Sequence, residues 1–185
     1  MKLIVAQGNP GPEYAATRHN VGFIVLEAYA RKHSATFQAK DKFKAELAEF
    51  SEDSEKALLA KPQTFYNLTG ESVRALVDFY KLNPEQDVLI IHDELALPFG
   101  TIRTRHSGSD AGNNGIKSIN QHVGSDTSRI RIGIANELRE RMDDASFVLS
   151  KFNTDENKVL EEKLPKIFSL IDAFIDGSFE ATTHA

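Results

Sequence analysis

Apolar positions along the chain change period several times, and each change marks an element. Lys2–Gln7 carries the run Leu3-Ile4-Val5-Ala6 and ends in Gly8-Asn9-Pro10-Gly11, the pattern of a strand running into a tight turn. Over Val21–Arg31, Phe23, Val25, Leu26, Tyr29 and Ala30 fall at roughly helical spacing. Phe43–Phe50 alternates, meets the polar stretch Ser51–Lys56 and is followed by Ala57–Ala60, which predicts a hairpin. Val73, Leu76, Val77 and Tyr80 stripe one side of Glu71–Lys81, an amphipathic helix with Thr69 placed to cap it.

Val88-Leu89-Ile90-Ile91 is an unbroken apolar run, as expected of a strand covered on both faces. Thr101–Thr104 and Arg129–Ala135 alternate as strands, with a helix near Asn114–His122 between them. The last helical region is Asp155–Ile175, with Leu160, Leu164, Ile167, Phe168, Ile171 and Phe174 on one side. Pro165 should kink it or divide it in two. Strands interleaved with helices, without repeats or a Pro/Gly/Ser-rich linker, predict one α/β domain over residues 1–185. The expected architecture is three α/β/α layers around a mixed, mostly parallel sheet.

Composition narrows the function classes. The chain has 185 residues and no cysteine, which excludes disulfides, thiolate nucleophiles and cysteine-ligated metals. No window approaches the roughly 18 apolar residues of a membrane span, and the first apolar run is too short for a signal peptide. A soluble, cytoplasmic protein is the expectation. The net charge of -5 argues against a protein that coats nucleic acid by bulk charge. Residues 101–131 reverse the sign, however: Arg103, Arg105, Lys117, Arg129 and Arg131 stand against only Asp110 and Asp126. Phosphate contacts are expected there.

Ligand sites in such sheets lie beyond the carboxyl ends of strands, and three polar stretches qualify. Gly8–Asn20 pairs a glycine-rich turn with Thr17-Arg18-His19-Asn20. It lacks the Gly-Lys-Ser/Thr of a nucleotide loop and the spacing of a dinucleotide fingerprint. His92–Gly100, read as a loop after the buried strand, offers Asp93 as the carboxylate that orients a histidine from another loop. No metal-ligand spacing and no Gly-x-Ser-x-Gly elbow occur, so water is the plausible nucleophile. Gln63–Gly70 and Gly112–Gly115, the second within the third stretch Ser107–Gly115, are rich in amides able to hold a carbonyl or a developing oxyanion. Simpler readings stand beside each. Asn9 fits a turn, His19 a cap or the surface, Asp93 a cap, Asn67 and Asn114 helix caps, and Phe65 and Tyr66 core packing or a stacking face for a base.

The combination resembles the bacterial peptidyl-tRNA hydrolase family. The matching stretches are GNPGPEYAATRHNVGF (8–23), KPQTFYNLTG (61–70), HDELALPFG (92–100), GNNGIKSI (112–119) and RIRIGI (129–134), five in order and register. The resemblance implies a monomeric enzyme that hydrolyses the ester joining a peptide to tRNA, without metal, cofactor or stable protein partner. It would contact the acceptor stem and 3′ end. It also implies roles. His19 activates water, Asp93 holds and polarises its imidazole, and Asn9 lies near the peptide. Asn67 and Asn114 bind the peptide end or the tRNA 3′ end. Tyr14 and Phe65 line the tRNA-binding site, and Arg103, Arg105 and Arg131 meet phosphates.

The chain departs from the family pattern at several places. Ala111-Gly112-Asn113-Asn114-Gly115 stands for the usual Gly-Gly-His-Asn-Gly, Tyr66 for a common Met, Gln7 for Leu, and Ala135-Asn136-Glu137 for Gly-Arg-Pro. Two rival readings remain open at this point: a catalytically weak relative that holds RNA in the same groove, and a generic carboxylesterase.

Overall fold

In the computed structural model, which describes residues 1–52 and 55–185, the apolar runs of the sequence form the centre of one sheet. The chain begins with strand β1 (Lys2–Ala6) and helix α1 (Val21–Lys32), followed by β2 (Gln38–Lys40) and the pair β3 (Ala45–Glu52) and β4 (Glu55–Pro62). Next come α2 (Thr69–Tyr80), the single turn α3 (Pro84–Asp87), β5 (Val88–Pro98) and β6 (Ile102–Arg105). The remainder is α4 (Asn114–Val123), β7 (Ser128–Ala135), α5 (Asp144–Val148), α6 (Thr154–Asp176) and the short β8 (Thr183–His184). The tip of the expected turn between β3 and β4 lies outside the described residues.

The sheet order is β2-β3-β4-β1-β5-β7-β6-β8. The parallel part is confined to the middle: β4, β1, β5 and β7 run the same way, while β2, β3, β6 and β8 add antiparallel margins. Burial follows. Leu3 to Ala6 and Val88 to Ile91 are completely buried, because helices cover both faces of the parallel centre.

Alternation then sorts side chains between two cores. Ile4, Ala6, Leu89 and Ile91 face α1 and α6, against Val25, Leu26, Ile167 and Ile171. Leu3, Val5, Val88 and Ile90 face α2 and α4, against Val73, Leu76, Ile116 and Ile119. Each fully buried aliphatic side chain contributes roughly 1.5–3 kcal/mol of transfer free energy.

Three local expectations need correction. Helix α6 runs unbroken through Pro165. The proline lies on the exposed side, where water can satisfy the carbonyl it frees. Thr69 does not cap α2. It is the first helical residue, and its hydroxyl donates back to the Tyr66 carbonyl. Residues 92–98 are not a loop but the second half of β5, which stays paired with β7 to Glu94 and, after an irregularity, at Pro98. No described helix is long and apolar enough to cross a membrane.

Candidate active site

The four parallel strands point their carboxyl ends to one edge of the sheet, and the chain order reverses beside β1. Such a point leaves a crevice for a ligand. Three segments open onto it: Gln7–Asn20 after β1, Gln63–Leu68 after β4, and the far half of β5. The N-terminus of α4 closes one side and the start of α5 the other. Together they line a cavity of about 690 Å³ whose walls include Asn9, His19, Tyr66, Asp93, Asn113 and Asn114.

His19 is carried into this cavity by a short helical turn, Arg18–Asn20, that leads straight into α1. The turn can sit so close because the second residue of α1 is Gly22: a Cβ there would stand 2.7 Å from the carbonyl oxygens of Gln7 and Ile91. From behind, Arg18 anchors the turn. Its side chain is almost fully buried, bonds Glu156 of α6 with both terminal nitrogens at 2.8 and 2.9 Å, and packs over the rings of Phe147 and Phe152.

The His19 Nδ1 lies 2.8 Å from Asp93 Oδ2. With that nitrogen occupied by the carboxylate, Nε2 is the one left for the cavity. Asp93 is buried on β5, and its other oxygen, Oδ1, accepts a short bond from the Tyr66 hydroxyl at 2.5 Å. The Tyr66 ring is stacked on the His19 imidazole with centroids 3.5 Å apart and planes within 12°. Burial, with the Asp93 and Glu94 charges beside it, pushes the Tyr66 phenol well above its ordinary pKa, so it stays a protonated donor. The Asn113 amide donates to the same phenol oxygen at 2.9 Å, and its own Oδ1 caps α4 by accepting from the Ile116 N–H.

Asn9 is oriented by its neighbours. The Tyr66 N–H donates to its Oδ1 at 2.8 Å, while Asn20 brackets its backbone with two bonds of 2.9 Å. Its amide nitrogen is thereby the end turned from Tyr66. Next to Asp93, His92 points to the α2–α4 face and donates Nδ1–H to the Asp93 carbonyl at 2.7 Å. Burial pushes the His92 pKa down to about 4, so it is neutral near pH 7.

The residues singled out from sequence divide into three groups. His19, Asp93, Asn9, Phe65, Asn67 and Asn114 share the cavity. Phe65 is 60% exposed there, which removes the core-packing reading, and Asn113 rather than Asn114 is the helix cap. Tyr14 is not among the cavity residues; its backbone closes the turn that precedes Arg18.

Arg103, Arg105 and Arg131 form a separate patch. Arg103 pairs in register with Arg131 and Arg105 with Arg129, so all four project from the α4 side of the sheet. The patch meets the cavity where Arg131 lies 3.7 Å from Glu94. Arg129 is buried beneath it, bonded to Asn120 and the Ser109 carbonyl, and burial beside Arg131 pushes its pKa down to about 10.

Sequence reasoning missed Tyr66 and Asn113 as members of the network and Arg18 with Glu156 as its support. The only signal was position, since Tyr66, Asn113 and Arg18 each adjoin a residue already chosen, while nothing in the sequence marked Glu156 as the partner of Arg18. Among the described residues no group of three or more His, Asp or Glu side chains gathers as a metal site.

A parallel-centred α/β sheet with a buried carboxylate holding a histidine at its switch point presents an imidazole nitrogen, backed by a carboxylate, to a cavity. The sequence profile of the peptidyl-tRNA hydrolase family matches residues 3–185. The peptidyl-tRNA hydrolase of Fusobacterium nucleatum is 44% identical over 167 residues, 90% of this chain and 85% of that protein. The one of Chloroflexus aggregans is 40% identical over the whole chain and 97% of its own length. The crystal structure of peptidyl-tRNA hydrolase from Acinetobacter baumannii superposes with a TM-score of 0.87 at 34% identity, covering 96% of this chain and 89% of that one. The chain belongs to the peptidyl-tRNA hydrolase family.

Proposed function

We propose that the protein hydrolyses the ester between a peptide and the 3′-terminal ribose of tRNA, recycling peptidyl-tRNA, with His19 as the base. The observation that carries this is the His19–Asp93 contact of 2.8 Å in a cavity open to substrate. Asp93 holds Nδ1, so Nε2 takes a proton from water as the water oxygen attacks the ester carbonyl. The carbonyl becomes a tetrahedral oxyanion, and the Asn9 amide nitrogen is the donor nearest in kind to what that charge needs. Collapse breaks the bond to the ribose oxygen. The imidazolium returns the proton to that oxygen, freeing tRNA and a peptide acid.

The other assignments follow from position. Asn67 and Asn114 lie together at a smaller cavity beside the first, with Lys117 and Gln121, and would hold the tRNA 3′ end. Phe65 offers its exposed ring for base stacking. Arg103, Arg105 and Arg131 would meet acceptor-stem phosphates, and Tyr14 would meet the tRNA from outside the cavity. Residues 1–185 act as one domain, as a monomer in the cytoplasm, without a protein partner, metal or cofactor.

The test is release of free tRNA from peptidyl-tRNA by the purified protein, with and without a chelator. Turnover in both is expected. Hydrolysis of a simple aryl ester but not of peptidyl-tRNA would contradict the assignment and favour a general esterase. Tight RNA binding without turnover would make it a binder.

A further inference from the structure

Tyr66 stands where the family commonly has Met, and Asn113 where it usually has His. In this chain the two substituted residues touch each other, and Tyr66 in turn stacks on the base. Asn113 Nδ2 donates to the Tyr66 oxygen at 2.9 Å, and Tyr66 donates to Asp93 Oδ1 at 2.5 Å. The phenol has one proton. With its oxygen already accepting from Asn113, that proton is committed to Asp93. Upstream, Asn113 is fixed as the cap of α4. Gly115 makes room: a Cβ there would overlap the edge of the Tyr66 ring.

We propose that Tyr66 is a positioning residue for the His19 base. It fixes which Asp93 oxygen is free for the imidazole, sets the ring plane by stacking, and draws off part of the carboxylate's charge. The inference rests on the His19–Asp93 reading above.

Its consequences follow from geometry. Asp93 is buried, with only 3% of its surface exposed, so its oxygens depend on protein donors rather than water. Tyr66 holds Oδ1 and His19 holds Oδ2, which stops the carboxylate rotating. The ring stack at 3.5 Å leaves the imidazole one plane in which Nε2 faces the cavity.

Other charges face this cluster. From β5 come neutral His92 and Glu94; across the cavity Arg139 ties to Asp144, bonding it at 2.8 Å. Helix α4 and the residue before it present the Asn114 and Asn113 amides, and on the α4 side of the sheet the Arg131 guanidinium stands 3.7 Å from Glu94. No other described side chain donates to Asp93 Oδ1, so removing the phenol proton leaves an undiluted carboxylate against the imidazole. The imidazolium is then held more tightly, and the base is lost at a higher pH.

The experiment compares wild type, Tyr66→Phe, Tyr66→Leu and Asn113→Ser on peptidyl-tRNA from pH 5 to 9, with His19→Ala and Asp93→Asn alongside and melting temperatures for all. Tyr66→Phe keeps the stack and loses the bond. Its kcat should fall roughly three- to tenfold with KM unchanged, and the acid limb of its kcat/KM profile should move up by roughly half to one pH unit. Tyr66→Leu, losing the stack as well, should fall further. Asn113→Ser keeps a capping oxygen and should move the limb in the same direction by less.

In the Asp93→Asn background Tyr66→Phe should add almost nothing. An acid limb that stays at the wild-type pH in folded Tyr66→Phe overturns the inference, whatever happens to kcat. If Tyr66→Phe fails to fold, the limb of Asn113→Ser decides in the same way. An active His19→Ala would instead overturn the base reading on which the inference stands.

Discussion

Glu156→Gln probes the support beneath the site. Arg18 and Glu156 expose only 2% and 9% of their side chains, and the guanidinium bonds both carboxylate oxygens. Glu156 does more: Asn136 donates to Oε1 at 2.6 Å, and the Asn153 N–H donates to Oε2 to close a capping box at the start of α6. Glutamine keeps the shape, one good acceptor and the capping role. What it removes is the counter-charge of a buried cation. Breaking a buried pair from one side costs about 3–5 kcal/mol. The retained bonds put this variant near the lower end, about 3 kcal/mol, which for a chain of this size lowers Tm by roughly 6–12 °C.

Thermal melts of wild type, Glu156→Gln and Asn153→Ala give the comparison, because loss of the cap alone costs only about 1 kcal/mol. Acid should shrink the difference. Burial pushes the Glu156 pKa up, but the Arg18 guanidinium, the Asn153 N–H and the Asn136 amide outweigh it and hold the group below the usual carboxylate range. A group lowered in the folded state stabilises above its unfolded value, about 4.3, and loses that contribution as pH falls through the folded value. The gap between wild type and Glu156→Gln should therefore be constant near neutrality and narrow below about pH 4. A Tm within 2 °C of wild type at pH 7, or a gap that widens in acid, would refute this role for the pair.

Two further predictions concern the site and the patch. Asp93→Asn should leave folding and tRNA binding nearly intact while lowering kcat, and His19→Ala/Asp93→Asn should be hardly slower than His19→Ala; losses that multiply would separate the two residues. Neutralising Arg103, Arg105 or Arg131 should raise KM for full-length substrate and flatten its salt dependence, with little effect on a minimal peptidyl-nucleotide ester. Equal losses on both substrates would make these arginines structural.

The fold was largely legible because hydrophobic periodicity dictates it: the buried runs at Leu3–Ala6 and Val88–Ile91 became the parallel centre, and the helical stripes became α1, α2, α4 and α6. Pro165 misled because a proline breaks a helix only where its lost bond cannot be replaced, and exposure is a tertiary property. Residues 92–98 misled because polar side chains at the end of a strand look like a loop until β7 is seen to pair with them. The approach of His19 to Asp93, 74 residues apart, was a hypothesis of chemistry rather than of pattern. Tyr66 was hidden for a different reason. An aromatic ring buried for packing and one buried to donate a proton look alike in sequence, and only Asp93 Oδ1 and Asn113 tell them apart. The Arg18–Glu156 pair spans 138 positions and gave no local sign.

The central claim is that His19 activates the water that cleaves the ester. The direct measurement is single-turnover hydrolysis of peptidyl-tRNA by wild type and His19→Ala, with tRNA affinity measured on the same preparations. Loss of a general base should lower the rate on the order of 10²–10⁴-fold while affinity stays near wild type, since the help is realised in the transition state. A folded His19→Ala protein within tenfold of the wild-type rate would contradict it.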